Sequence, residues 1–568
     1  MHRYLLIIGL IVLAFAAGSA AQTPTPSPVL PDDLKGVPAI APDYRSDERT
    51  LPEIGRVGVD LLQQRTMTLR DAIELALENN RDVEVSRQTA RIAEFDLAAS
   101  RGLTQPRLTG QLYYDRTTLP NVSIFTSNQK TTSGTLLGNV ALTTTRLDSG
   151  TVFSGSFNNQ RVTTNNPISV LSPQLNASLG FAVTQPLFRG RKFDQTRRTI
   201  EIAKRNIELT DTQFQQRTIE TVANVQKAYW DLTYALRNLQ VQRDAVRDAK
   251  DQLAHNRRLV DEGQLAPIDI VAAETQVANF EQAVYDALNG VNVAENILKN
   301  LLSPNRTSAI WAEALVPVEP VEITVPDPTL TQAMELALDN RPELEINRAQ
   351  KDINAIDQRL YKDQQKPQID LIASFSESGI GGSSNPSFSP TFPTPCTTDP
   401  TSPTCAQQLA NLALLTGNPY RGIFANRYPT FRVGIQFNLP LFGDKTAEAQ
   451  YGRSLVEAER LETQREQLEQ GIQVEVRNAL QAVRTAAARL RSAAIARENS
   501  VKQYESEQRK LDEGQSDVYK VLERQTALAA ARSNELRSRT ELNKAVAELE
   551  RATGNSLKAN DIVPKLKK

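Results

Sequence analysis

Two copies of the tetrapeptide Asp-Glu-Gly-Gln, at residues 261–264 and 512–515, are the strongest constraint on how this chain of 568 residues folds. The first copy ends a stretch with no proline and no glycine between Gly190 and Gly263. Proline and glycine most disfavour a helix interior, so one helix is predicted over about 194–262. At a rise of ~1.5 Å per residue, roughly 70 residues span about 100 Å. We therefore predict two long helical hairpins with a glycine at each tip.

The apolar residues of both long stretches recur at alternating steps of three and four. In the first they are Val222, Val225, Tyr229, Leu232, Leu236 and Leu239, and in the second Val476, Leu480, Val483, Ala487 and Leu490. This ~3.5-residue period is typical of helices that supercoil around one another. An ordinary amphipathic helix on a globular core is the alternative, but such helices usually run ~8–20 residues. We expect the long helices to pack side by side.

Charge and histidine content exclude several classes of function. The 65 basic and 66 acidic residues give a formal net charge of −1, which does not indicate a nucleic-acid-binding surface. His2 and His255 are the two histidines, too few for a multi-histidine metal site, and His2 lies in a segment that is removed. No Gly-rich phosphate loop or nucleophile elbow is present. We expect neither an enzyme nor a bound cofactor or metal.

Residues 1–21 have the pattern of a secretory signal peptide, with a basic start, an apolar run and small residues up to Ala21. The next segment, 22–66, is rich in proline and small polar residues, which predicts an extended or disordered lead-in. Beyond the signal there is no charge-free apolar run of ~18 residues, so no transmembrane helix is expected. Any membrane span would then be a closed β-barrel, because lipid does not satisfy open strand edges.

Cys396 and Cys405 are the two cysteines of the chain, in a segment rich in proline, serine and threonine. Their spacing does not fit a redox Cys-x-x-Cys motif or a zinc site. In an exported protein they are expected to form a disulfide that pins an exposed loop. Two free thiols would be expected in a cytosolic protein.

The chain contains an internal duplication. Residues 68–79 match residues 329–340 at an offset of 261 (329 − 68), which indicates a repeat. The first residue of each match, Thr68 or Thr329, is a predicted helix N-cap. The predicted boundaries are 67–302 for the first structural repeat, 303–328 for the linker between repeats, 329–553 for the second repeat and 554–568 for a basic C-terminal tail.

After Pro106 in the first repeat and Pro367 in the second, the hydrophobic period changes from about 3.6 residues to 2. Such alternation predicts strands with one apolar face. The alternating segments are residues 108–114, 175–183, 369–375 and 431–439. Strands of ~9–11 residues suit a tilted membrane span, so two such strands are predicted in each repeat.

A further hairpin is predicted over 139–161, with a turn at 148–150. The pattern leaves open whether this hairpin joins the same sheet. Long polar loops over about 119–133 and 377–427 are expected on the external side of the membrane.

The order of helix, strands, long helix, tip and return helix, written twice behind a signal peptide, resembles the TolC-like outer-membrane efflux protein family. The resemblance rests on the duplicated Leu-x-x-Ala-x-x-x-Ala-Leu-x-x-Asn openings, the paired tips, and the strand exits at 185–188 and 439–442. It implies an α+β membrane protein and a homotrimer. Each protomer would give four strands to one 12-stranded β-barrel in outer-membrane lipid, continued by a periplasmic α-helical barrel of coiled helices. Four strands fall below the eight of the smallest membrane barrel, so three chains also satisfy closure.

The function that this resemblance implies is a passive exit duct in a tripartite efflux system. Small molecules would pass from an inner-membrane transporter and a periplasmic adaptor (a membrane fusion protein) to the exterior. Two alternatives stay open: the outer-membrane component of a type I protein secretion system, and a periplasmic coiled-coil scaffold without a pore. The scaffold would leave the four alternating strands unexplained.

In this family, charged residues near the tips narrow the periplasmic entrance. Alignment of the tip glycines carries the acidic gate positions onto Asp269, Lys520 and Glu523, and a basic gate position onto Ser516. Lys520 and Ser516 depart from the family pattern, and a solvated helix face is the alternative for the first three. The expected hairpin tips and adaptor-docking residues are Gly263, Gln264, Leu265, Ala266, Pro267, Gly514, Gln515, Ser516 and Asp517.

Overall fold

The computed structural model describes residues 54–121, 129–318, 325–388, 395–440 and 443–562. The signal peptide predicted at 1–21, the lead-in before residue 54 and the last six residues of the basic tail lie outside these ranges.

Each half of the chain runs from a short strand through two helices and sheet strands to a long helix and a return helix, but the first half has four sheet strands and the second has two. The first half contains β1 (Asp60–Met67), α1 (Leu69–Asn79), α2 (Arg81–Gly102), β2 (Arg107–Pro120), β3 (Lys130–Arg146), β4 (Thr151–Thr164), β5 (Leu171–Pro186), α3 (Gln195–Asp261) and α4 (Pro267–Leu302). After a 3-10 turn at Ala309–Trp311, the second half contains β6 (Glu313–Pro317), α5 (Leu330–Asn340), α6 (Pro342–Gln364), β7 (Gln368–Ser384), α7 (Pro395–Thr398), α8 (Pro403–Leu415), α9 (Tyr420–Phe424), β8 (Pro429–Asn438), α10 (Lys445–Asp512), α11 (Val518–Ala552) and α12 (Ser556–Ala559).

The first helix of each repeat begins at the predicted N-cap. The Thr68 hydroxyl accepts a hydrogen bond from the Asp71 N–H at 3.1 Å, and the Asp71 carboxylate accepts one from the Thr68 N–H at 3.0 Å. Thr329 and Gln332 make the same reciprocal pair in the second repeat. These capping boxes satisfy N–H groups that have no partner within the helix, so the two predicted caps are confirmed.

The long helices form two antiparallel hairpins, α3 with α4 and α10 with α11, and α11 also lies against α3. The apolar positions of the 3.5-residue repeat are buried in them, including Val222 and Tyr229 of α3 and Val476 and Leu480 of α10. Burial of such side chains contributes ~1.5–3 kcal/mol each, so packing along their length holds the helices together. Across the described ranges, no helix combines the length and the apolar character that a membrane-crossing helix requires.

The strands between the helices form one antiparallel sheet in the order β2-β3-β4-β5-β7-β8. The predicted hairpin at 139–161 belongs to it as β3 and β4, which pair from Ser133↔Thr164 to Arg146↔Thr151. The sheet has six strands, two more than the four that the resemblance assigns to each protomer, and the hairpin whose place the sequence left open accounts for the difference. Serine, asparagine and glycine fill much of β4 and weaken its alternation, whereas the pairing itself is made by backbone groups.

Both predicted external loops are shorter than expected. β7 continues to Ser384, which pairs with Leu171, so the loop predicted from 377 begins at 385 and contains α7, α8 and α9. β2 and β3 pair as far as Pro120↔Lys130, within the segment predicted as a loop over 119–133.

A second, two-stranded sheet lies in segments that the sequence predicted to be lead-in and linker. β1 and β6 pair in parallel, with Thr66 opposite Val316. The end of the lead-in is therefore an ordered strand. The sequence of β1 is short, mostly polar and does not alternate, and parallel pairing with a strand some 250 residues away leaves no local sequence signal.

Candidate functional site at the hairpin tips

The first tip is a glycine-dependent helix end. After α3 stops at Asp261, Gly263 takes φ +73°, a left-handed conformation that a side chain disfavours. The Gly263 and Gln264 N–H groups donate to the Val260 and Leu259 carbonyls at 2.9 and 2.8 Å. These bonds satisfy the last carbonyls of the helix and reverse the chain direction.

Asp269 stands in the first turn of α4, which begins at Pro267. Its carboxylate accepts a hydrogen bond from the Ala266 N–H at 3.2 Å. A carboxylate at this position satisfies a free N–H and complements the positive end of the helix dipole. Asp269 therefore has a capping role within the protomer, and its gate role stays a prediction.

The second tip repeats this geometry with different charges. Gly514 takes φ +68°, and the Gln515 N–H donates to the Lys510 carbonyl at 2.7 Å. Asp517 caps α11 by accepting from the Lys520 N–H at 2.9 Å, and the Lys520 ammonium lies 2.9 Å from the same carboxylate. The basic residue at the gate position is thus already paired locally.

Hydrogen bonds shift the pKa values of three side chains at the second tip. The Lys520 ammonium and N–H hold the pKa of Asp517 below its usual value, and the Asp517 carboxylate raises the pKa of Lys520. The Ser516 hydroxyl donates to Glu507 and lowers the pKa of that carboxyl. Asp517 and Lys520 are solvent-exposed, whereas Ser516 and Glu507 are partly buried. Glu523, one turn beyond Lys520, is exposed on α11.

The structure brings the two tips together. Leu265 from the first tip packs on an apolar cluster at the second, made of Leu511, Val518, Val521 and Leu522. His255 Nε2 of α3 lies 3.0 Å from Asp512 Oδ1 at the end of α10. The predicted tip and gate residues of one protomer therefore share one end of the helical bundle.

Sequence reasoning missed a line of polar contacts between α3 and α11. Lys544 lies 3.0 Å from Asp231, Arg532 lies 3.4 Å from Asp248, and Gln226 donates to Glu550 at 3.3 Å. Burial raises the pKa of the Glu550 carboxyl, and the Gln226 amide only partly offsets it. Because each partner lies about 300 residues from the other in sequence, no local pattern reveals the pairing.

At the opposite end of the molecule, the six-stranded sheet has one apolar and one polar face. The apolar face carries Leu108 and Leu112 of β2, Leu142 and Val140 of β3, Phe153 and Phe157 of β4, Phe181 and Leu179 of β5, Phe375 of β7, and Phe431 and Val433 of β8. The opposite face carries serine, threonine, asparagine and glutamine at most positions of β3, β4 and β5. Many of the apolar side chains are largely exposed, as in Phe431 (74%) and Leu112 (78%). Apolar exposure on this scale indicates contact with lipid or another chain.

The loop between β7 and β8 folds back onto the apolar face. The Tyr420 ring stacks on Phe157 with 6.2 Å between centroids, and the Tyr428 N–H donates to the buried Glu377 carboxylate at 2.8 Å. Cys396 and Cys405 form a disulfide in this loop, with their Cα atoms 4.5 Å apart. Within the described ranges, no cluster of three or more His, Cys, Asp or Glu side chains is arranged to hold a metal ion.

A protein-family model and several solved structures match this chain. The family model described as outer membrane efflux protein matches residues 152–303 and 333–555, more than half of the chain. No curated protein sequence matches.

Three solved structures share the fold. The outer-membrane channel OprN is 15% identical, with a TM-score of 0.59, over 91% of this chain and 99% of its own. The Campylobacter jejuni CmeC outer membrane channel is 14% identical, with a TM-score of 0.59, over 91% and 95%. The open state of the Neisseria gonorrhoeae MtrE outer membrane channel is 14% identical, with a TM-score of 0.57, over 92% and 98%.

The family resemblance predicted from the openings, tips and strand exits is therefore confirmed. The low identities to the solved channels support the fold alone, whereas the family match covers both repeats. This chain belongs to the outer membrane efflux protein family.

Proposed function

We propose that three copies of this chain form the outer-membrane exit duct of a tripartite efflux system. The duct passively conducts small molecules from an inner-membrane transporter and a periplasmic adaptor to the exterior. The observation that carries this proposal is the direct connection between an amphipathic sheet and very long helices. β5 ends at Pro186 and α3 begins at Gln195, and β8 ends at Asn438 and α10 begins at Lys445.

The sheet supplies the part that lies in the outer membrane. Its apolar face suits lipid and its polar face suits a water-filled lumen. One protomer leaves the backbone edges of β2 and β8 open, and open edges are not tolerated in hydrocarbon. Edge pairing between identical copies removes all free edges at once, which supports a closed ring of copies, and the family resemblance implies three.

The helices supply the periplasmic part. α3 and α10 have 67 and 68 residues, about 100 Å each at ~1.5 Å per residue. The adaptor docks on the two adjacent tips, at 263–267 and 514–517. Asp269, Lys520 and Glu523 lie just behind these tips and set the charge of the entrance, and the duct selects cargo by bore and lining charge.

Single-channel conductance of the purified trimer in a planar bilayer tests this proposal. We expect small openings that enlarge in Asp269→Asn and Glu523→Ala, because the entrance limits the current. Asparagine at 269 removes the charge while its side-chain oxygen can still cap α4. Glu466→Ala is the matched control, since this exposed acid of α10 lies about 70 Å from the tip.

The outcomes separate the duct from its gate. Correctly inserted trimers that give no channel would overturn the exit-duct function. Channels whose conductance changes equally in Glu466→Ala and in the tip variants would leave the duct standing and remove the gate from Asp269 and Glu523.

A further inference from the structure

We infer that the membrane barrel of this protein has eighteen strands, in place of the twelve that the family resemblance implies. The inference rests on the proposed trimeric duct. Six strands from each of three copies give this number, with β3 and β4 spanning the membrane beside the other four.

The first observation is continuous backbone pairing. β3 pairs with β2 from Arg107↔Thr143 to Pro120↔Lys130, and β4 pairs with β5 from Val152↔Thr184 to Val162↔Gln174. β2 and β5 are therefore separated by the hairpin over the whole length of the sheet. A twelve-stranded barrel would require β2 and β5 to pair directly, and the described residues show no such pairing.

The second observation is the height of the hairpin. The β3–β4 turn lies where the sheet joins the helices, and the Gln185 side chain donates to the Ser149 carbonyl at 3.1 Å. A Cβ at Gly150 would lie 2.7 Å from the Gly190 carbonyl oxygen, so the turn is packed against the entry to α3. The hairpin thus extends the full height of the sheet and does not project beyond its outer edge.

The third observation is the side-chain pattern. Leu142 and Val140 of β3 and Phe153 of β4 continue the apolar face, in register with Leu108 of β2 and Val183 of β5. Placed outside the membrane, these side chains would expose a broad apolar patch to water on one side of a hairpin. Placed in the barrel, they complete the lipid-facing band.

Closure by copies of the same chain fits the strand directions. β2 leaves the helical end and β8 returns to it, so β8 of one copy can pair antiparallel with β2 of the next. Both strands are exposed along their length in the protomer. An even number of antiparallel strands then closes without a mismatch, as in other bacterial outer-membrane barrels.

The consequence is a wider outer opening. With strands ~4.8 Å apart and tilted by ~40°, the backbone diameter grows from about 24 Å for twelve strands to about 36 Å for eighteen. The positions added to the lumen, such as Asn139, Ser154 and Asn158, are uncharged. The outer end therefore discriminates little by size or charge, and selection lies elsewhere along the duct.

Cysteine labelling of trimers in outer membranes tests the placement of β4. Phe153→Cys and Ser154→Cys lie on opposite faces of β4, and their register partners Val183→Cys and Ala182→Cys on β5 are the matched controls. We expect a water-soluble maleimide to label the cysteines at 154 and 182 and to leave those at 153 and 183 at least tenfold less reactive. The native cysteines are joined to each other and do not compete.

Each other outcome is decisive. Labelling at both 153 and 154, with 183 protected, would place the hairpin in water and overturn the eighteen-stranded barrel while the duct stands. Labelling at both 182 and 183 would remove the whole sheet from lipid and overturn the proposed function itself. If a variant fails to assemble, a strand count from electron cryomicroscopy of the wild-type trimer decides, and twelve strands would refute the inference.

Discussion

The two return helices, α4 and α11, occupy equivalent places in the two halves of the chain but bury different chemistry at corresponding positions. The tips are 251 residues apart (514 − 263), which aligns Glu295 of α4 with Val546 of α11 and Lys299 with Glu550. Glu295 and Lys299 are fully buried and lie 3.4 Å apart. Val546 instead joins the apolar core of the second hairpin.

The buried pair Glu295 and Lys299 of α4 contacts the segments around β1 and β6, and among the described residues no such segments pack against α11. The Glu295 carboxylate accepts from the Leu315 N–H of β6 at 2.9 Å and lies 2.9 Å from the Arg56 guanidinium. The Lys299 ammonium donates to the Trp311 carbonyl at 3.1 Å. Burial lowers the pKa of Lys299 despite the neighbouring carboxylate. Apolar packing is therefore common to both halves of the chain, whereas this polar anchor holds the β1–β6 sheet and has no counterpart on α11, which the structure describes throughout.

The largest expected effect comes from breaking this anchor. Glu295→Ala leaves Lys299 buried without its counter-ion and should lower the free energy of unfolding by ~3–5 kcal/mol. Denaturant unfolding of the purified trimer, followed by the helical circular dichroism signal, measures it. Glu295→Gln keeps an acceptor for the Leu315 N–H and should lose less. The pair Glu295→Leu with Lys299→Met should recover most of the loss, and no recovery would show that the charges themselves are required.

Replacing the tip glycine by alanine should destabilise the protein by a similar amount in both hairpins. Gly263→Ala and Gly514→Ala force a side chain into the left-handed region and should each cost ~1–2 kcal/mol, since nothing lies within 4 Å of the added Cβ. Gly471→Ala on α10 is the control, because it also meets open space but has helical backbone, and it should stabilise by ~0.5–1 kcal/mol. Unequal losses at the two tips in the same unfolding experiment would mean that their geometries differ.

A smaller effect should mark the link between α3 and β1. The Tyr229 hydroxyl donates to the Met67 carbonyl at 3.1 Å, and that carbonyl also accepts from the Val318 N–H. Because the carbonyl keeps a partner, Tyr229→Phe should cost only ~0.5–1.5 kcal/mol. Leu480 is the corresponding residue of α10, and Leu480→Met, which conserves volume, is the matched control. Hydrogen exchange of the Met67 region should increase in Tyr229→Phe and not in Leu480→Met.

The smallest effect should depend on pH. Burial raises the folded-state pKa of Glu550 above its unfolded value, so the folded protein binds this proton more tightly. The stabilisation that protonated Glu550 gives the folded wild-type protein is therefore fully present below its unfolded-state pKa. It is lost as pH rises through the folded-state pKa. Glu550→Gln should stabilise by at most about 1 kcal/mol at neutral pH, with the difference vanishing under acid conditions. If Glu550→Gln and wild type differ in stability by the same amount from neutral to acid pH, the effect comes from packing and not from ionisation.

Much of the architecture could be predicted from local sequence patterns. The absence of glycine and proline located α3, and Gly263 and Gly514 located its end and that of α10, because helix ends depend on neighbouring residues. Thr68 and Thr329 located the first helix of each repeat for the same reason. The strands β2, β5, β7 and β8 were located by their alternation. β3 and β4 were recognised as a hairpin, but their place in the sheet was left open.

The sequence by itself determined the helix lengths, the tips and the family, since each depends on periodicity or on a few adjacent residues. Only the tertiary structure decided that β3 and β4 lie inside the sheet, that β1 pairs with β6, and that the two tips meet at Leu265. These features are set by backbone hydrogen bonds and packing between residues far apart in the chain. Backbone groups are nearly the same in every residue, so the choice of a distant partner leaves little trace in local sequence.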